Sequence, residues 1–242
     1  MFRYKIKNRT HKDNLRIAVL LSFVAGMVNV AGFLAVKQLT TNVTGHFAFF
    51  VEEIYLLDAW RGLVYFLFVF FFFLGSFTSG ILIEWMTRVN ERYVFVIPVI
   101  IEAIILIFIG VYGEELIIQN PSLIAYALLF SMGLQNALVT MISKAVVRTT
   151  HLTGLFTDLG IEIAQLFFYK SSNRKKGLRS SIQLRFSIIV FFLFGGVVSG
   201  LFYGSCHLRI LFFPAVLLLM GLMYDQMILR LKLLRRSIKD FS

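Results

Sequence analysis

The side chains able to do chemistry in this sequence are few, and they come in pairs. Thr40-Thr41-Asn42-Val43-Thr44-Gly45 returns as Thr149-Thr150-His151-Leu152-Thr153-Gly154, and Glu53 and Glu162 fall at the same offset beyond the two copies. A Thr-x-x-Thr-Gly turn ahead of a short helix supplies hydroxyls that cap free N–H groups or hold a polar solute, and a glycine that lets backbone approach closely. Asn29 and Asn136, each three residues after a glycine (Gly26, Gly133), form a second repeated pattern, to which Gln135 adds another amide. Together these patterns predict a solute-binding set of Asn29, Thr41, Asn42, Thr44, Gly45, Gln135, Asn136, Arg148, Thr150, His151, Thr153 and Gly154. Arg148 stands there either as a counter-ion or as a side chain snorkelling to the surface.

The carboxylates Glu53, Glu102, Asp158 and Glu162 form a second set, suited to coupling protons or ions. Glu102 falls close to the middle of an apolar run, where a charged residue costs roughly 2.5–3.5 kcal/mol, so it is expected to face the protein interior. Plainer roles compete with each of these: N-capping by the threonines, close helix packing at Gly26, Asn29 and Gly32, and a protonated Glu102 buried for packing. Cys206 is the only cysteine and the two motif histidines, His46 and His151, are not equivalent in the repeat. No disulfide, metal site or cofactor is expected, and without a hydrolase or zinc spacing the chain is expected not to be an enzyme.

The elements that must position these residues are apolar helices. Hydrophobic side chains make up 58% of the 242 residues, charged ones 15%, and the mean hydropathy is +0.81. Runs long enough to cross a ~30 Å hydrocarbon core lie at about 15–36, 62–86, 93–113, 122–143, 186–206 and 210–229. Each Thr-rich turn follows the first run of a set of three and leads into a helix too short to cross, re-entrant or interfacial. The predicted fold is all-α: one polytopic membrane domain over 1–242 with six transmembrane helices in two three-helix repeats, about 15–113 and 122–229.

Charge sets the orientation. The formal net charge is +11, but 21 of the 24 Lys and Arg fall in alternate connections and only Lys37, Arg61 and Arg209 in the others. That bias places both termini in the cytoplasm, with a basic cytoplasmic loop at 170–181, and argues against nucleic acid. The basic N-terminal end resembles a signal peptide, but its apolar run is long and matches a later segment, so it is expected to be a retained first span. The runs Arg174-Lys175-Lys176 and Arg235-Arg236 serve topology and meet anionic lipid. An odd number of spans per repeat inverts the second half relative to the first, a layout common among transporters. Smaller signals are an i,i+4 pair of Glu84 with Arg88, Asn120-Pro121 opening the fourth span, and Gly75 to Gly80 mirrored by Gly195 to Gly200.

The segments Gly26-Met27-Val28-Asn29, Gly32-Phe33-Leu34, Thr44-Gly45, Gly133-Leu134-Gln135-Asn136 and Arg148 to Gly154 resemble the YoaK family of bacterial membrane proteins, a domain of unknown function, over nearly the whole chain. The resemblance implies a six-span protein of the bacterial cytoplasmic (inner) membrane with a role in transport. Many members carry an acidic residue where Asn29 stands and Thr-Gly-Asn where this chain has Thr44-Gly45-His46, so any proton coupling through that acid would pass here to Glu102, Glu53 or Glu162. The expected function is a small-solute transporter or exporter, an anion among its candidate solutes, with a channel, a lipid-binding or assembly protein, or less readily an intramembrane enzyme as alternatives. Its expected partners are the lipid bilayer and that solute, with a homo-oligomer left open.

Overall fold

The structure is a computed structural model that describes residues 11–90, 93–143, 146–169, 171–224 and 227. Among the described residues it is all-helical: α1 His11–Val36, α2 Val43–Tyr55, α3 Ala59–Val89, α4 Val96–Gln119, α5 Pro121–Ser143, α6 Leu152–Phe168 and α7 Ser172–Cys206. A 3-10 turn at His207–Leu211 follows, and helix resumes over 212–224. Five stretches are long and apolar enough to cross a membrane: α1, α3, α4, α5 and Ser172–Tyr224. The basic N-terminal residues 1–10 and the Arg235-Arg236 run lie outside the described residues.

Local chemistry sets several boundaries. Asp58 caps α3 by accepting from the Arg61 backbone N–H at 3.0 Å, and α5 opens on Pro121, where a missing N–H costs nothing. Lys37, Leu57 and His207 follow helix ends with φ of 57°, 61° and 47°, a region where glycine is the usual occupant. Leu208, after the last of these, donates its N–H to Glu114 at 3.1 Å, which ties the end of α7 to α4. The expected pair of Glu84 and Arg88 forms at 3.1 Å on an exposed face.

Two close helix crossings hold the molecule together, α1 on α7 and α3 on α5. Gly26 lies against the Phe192 carbonyl and Gly195 against the Phe23 carbonyl; Gly75 lies against the Phe130 carbonyl and Gly133 against the Phe72 carbonyl. At all four glycines an added Cβ would collide with partner backbone, which only a large shift of one helix could relieve. Each glycine ends a Phe-x-x-Gly segment, so the two crossings are built from the same four-residue pattern used twice. Apolar side chains gain little by leaving lipid, so packing of this closeness supplies much of the association. α1 and α5 are mostly buried at the centre, while α3 and α7 turn phenylalanines such as Phe73 and Phe194 outward.

Two sequence expectations change. The segment 170–181 is not a loop: from Ser172 it is the first part of the 35-residue α7, because apart from Gly177 it contains no helix breaker and several good helix formers. Glu102 is in the first third of α4 rather than near the middle of a span, because α4 runs on to Gln119.

Candidate functional site

Each Thr-rich turn is held by the asparagine of the helix before it. Asn29, on α1, accepts from the Thr41 hydroxyl at 3.0 Å, the Thr41 backbone N–H at 3.2 Å and the Thr40 hydroxyl at 3.5 Å. Asn136, on α5, accepts from the Thr150 hydroxyl at 3.1 Å. The turns then feed α2, which packs on α3, and α6, which packs on α7. Each turn therefore links one crossing pair to the other: from α1 to α3 at one place and from α5 to α7 at the other.

The second threonine of each motif does less than its spacing predicts. Thr44 and Thr153 are exposed, and their hydroxyls cap nothing among the described residues. Asn42 is the α2 cap, accepting from the Gly45 N–H at 3.1 Å. His151 holds the same place ahead of α6 without a side-chain cap bond. Gly45 and Gly154 leave room for these residues, since a Cβ at either position would strike the Asn42 amide or the His151 ring.

Behind the turns the two halves diverge. His46 is buried, with Nε2 2.7 Å from the Leu39 carbonyl oxygen, and its ring packs on Phe68 and Tyr65. Phe49 adds a ring contact to Tyr65, so this space is largely filled. A pocket of about 240 Å3 remains beside it, lined by Gln38, Arg61, Tyr65, Phe68 and Ser122 among others. At the second turn the Arg185 side chain donates to Asp158 at 2.7 Å and to Glu162 at 3.0 Å, and the Ser181 hydroxyl donates to Glu162 at 2.6 Å. A pocket of about 420 Å3 opens there, lined by Arg148, His151, Gly154, Asp158, Ser181 and Arg185 together with apolar Val146, Leu155 and Leu184. Arg148 forms no ion pair among the described residues.

The structure brings Arg148, His151, Gly154 and Asp158 of the expected set to one pocket, with Glu162 joined to it through Arg185. Asn29, Thr41, Asn42 and Gly45 meet at the other turn, and Glu53 lies beside Gly62 of α3 with no ion pair among the described residues. Gln135 is buried and donates to the Leu21 carbonyl at 2.8 Å, joining α5 to α1. Arg185 was not among the expected residues. Its signal is an arginine at the start of an apolar run with two acidic residues on the preceding short helix.

The core contains polar groups with no partner among the described residues: both Glu102 oxygens, Gln135 Oε1, and the hydroxyls of Ser22, Ser79, Ser131 and Ser199. An unmet buried polar group costs about 1–3 kcal/mol, so such a set is expensive as packing alone. No group of three or more His, Cys, Asp or Glu suited to a metal ion occurs among the described residues.

Residues 17–224 match a family described as a protein of unknown function (DUF1275), within which the YoaK family falls. No curated protein and no solved structure matches the chain.

Proposed function

The chain belongs to the DUF1275 family of proteins of unknown function, and from that premise we propose that it is a multi-pass membrane transporter or exporter of a small solute. The observation that carries this proposal is the pair of tethered turns, Asn29 with Thr41 and Asn136 with Thr150, each bridging the two crossing pairs. A turn tethered to its own preceding helix at the point where the chain passes from one crossing pair to the other suits alternating access, because one tether can release while the other stays closed.

Six spans in two inverted halves fit the lengths. Ser172–Tyr224 has 53 residues, roughly 80 Å of helix at 1.5 Å per residue, well over twice a ~30 Å core. The 3-10 turn at His207–Leu211 supports a division of that stretch into two crossings, which would give three per half. The charge bias supports cytoplasmic termini, and the YoaK resemblance supports a bacterial inner membrane. The unpartnered core hydroxyls and Glu102 fit a polar path that is closed in this arrangement, with Glu102 as the proton carrier.

Purified protein in liposomes, loaded with a broad panel of small solutes and given a proton gradient, should show uptake or efflux of at least one. E102Q should retain the fold and lose dependence on the gradient. Absence of flux across the panel from folded protein would sink the transport proposal; flux too fast for a carrier, and steeply voltage-dependent, would make the protein a channel. A lipid-binding or assembly protein is the second proposal. It is favoured by Tyr55, Leu57, Phe167 and Phe168, all above 80% exposed where the short helices end. In that case alanine at Thr41, Thr150 and Glu102 should change stability with no solute-dependent effect.

A further inference from the structure

The pocket at the second turn combines charges of both signs in a small volume. Arg185 is shared between Asp158 and Glu162, so two carboxylates face one guanidinium and that side carries one net negative charge. Arg185 binds one oxygen of Asp158, and the other, Oδ1, has no partner among the described residues. On the segment leading from α5, Arg148 brings to the same pocket a positive charge unpaired among the described residues, and His151 also lines it. With Glu162, which stands behind Arg185 and outside the lining, the charges around the pocket are neutral in sum but divided, with a cation and a carboxylate oxygen that are both unpaired among the described residues. Leu155 and Leu184 add an apolar part to the same lining. At about 420 Å3 the pocket falls within the roughly 300–1,000 Å3 typical of small-molecule sites.

A simple anion would meet Arg148 and be repelled by the acidic wall, and a simple cation would meet the reverse. A solute with both charges satisfies both walls. We propose that this pocket binds a small zwitterionic solute of the amino-acid class, its carboxylate taken by Arg148 and His151, its ammonium by Asp158, and its side chain set against Leu155 and Leu184. This assignment names a substrate class for the transport proposal and rests on it only for what the solute is bound for; binding itself is measurable without flux.

The full chain in detergent or nanodiscs should be titrated with the common amino acids, and with the N-acetyl and amide forms of any that bind, by calorimetry and thermal shift. At least one amino acid should bind saturably and raise Tm, while its N-acetyl form, lacking the cation, and its amide, lacking the anion, should each bind roughly tenfold or more weakly. R148A should lose the amino acid and its N-acetyl form together. D158N, which keeps the shape of the side chain, should weaken the amino acid but not its N-acetyl form. Should R148A unfold, R148Q gives the same comparison. Equal binding of the single-charge analogues, or no binding by any amino acid to folded wild-type protein, would overturn the proposal. Flux of a solute that does not bind here would overturn it while leaving transport standing. Binding without flux of any solute would uphold it and sink transport instead.

Discussion

At the first turn Asn29 accepts three hydrogen bonds and the space behind α2 is filled by rings, whereas at the second Asn136 accepts one and the space behind α6 is a charged pocket. The difference falls on equivalent positions. Tyr65 stands ten residues before Gly75 and Arg185 ten before Gly195; Phe49 stands four after Gly45 and Asp158 four after Gly154. A glutamate stands at this place in both halves, as Glu53 and Glu162, but among the described residues only Glu162 meets an arginine. The helix crossings are alike and the spaces behind the short helices are not. A repeated scaffold thus leaves ring packing and a smaller pocket, of about 240 Å3, at one turn and a larger pocket lined by charge at the other.

The crossings are the part in which the halves should respond alike, and with the largest effect. G26L and G133L should each prevent one helix pair from closing, and even alanine at either position should cost about 1–3 kcal/mol through overpacking. Thermal unfolding in detergent should show similar losses for G26A and G133A; a loss confined to one would break the symmetry of the crossings. The short helices should respond unequally. R185A leaves Asp158 and Glu162 facing each other and should destabilise by about 2 kcal/mol, in the range of hydrogen bonds to charged groups. E162Q in the R185A background should recover part of that loss.

The tethers are a finer comparison. N29A removes an acceptor of three bonds and N136A an acceptor of one, so losses of about 2 and about 1 kcal/mol are expected. A double-mutant cycle of Asn29 with Thr41 should give a coupling larger than that of Asn136 with Thr150. The smallest contrast is at the caps: N42A should cost about 1 kcal/mol, and H151A close to nothing, because only Asn42 makes the cap bond. A loss at His151 equal to that at Asn42 would show a cap formed there in solution.

Much of the scaffold was legible because apolar length and charge are one-dimensional signals. The α5 boundaries fell where Pro121 and the apolar run placed them, and Gly26 and Gly133 packed as small residues should. The Phe-x-x-Gly pattern occurs five times, and only the two helices of each crossing separate the four that pack closely from Phe77 to Gly80, where nothing approaches. The turns were legible as a place and not as a mechanism. The spacing of Thr44 and Thr153 points to caps, while the bonds that hold the turns come from Thr41 and Thr150 to asparagines 12 and 14 residues away in sequence. Glu102 was recognisable as a buried carboxylate, but its depth depends on where α4 ends, and apolar runs mark helix ends loosely. The breaks at Lys37, Leu57 and His207 carry no glycine, so nothing in their residue types announces a positive φ.

The crossed arrangement also constrains how the protein is made. Gly26 needs the backbone at Phe192, and Gly75 needs the backbone at Phe130, so each half supplies what the other half closes on. At about 5–20 residues per second the ribosome delivers α7 on the order of ten seconds after α1. Over that interval α1, which ends up among the most buried helices, must wait in the bilayer without its partner. Two separately expressed halves should therefore be degraded alone and accumulate together, since neither contains both helices of a crossing.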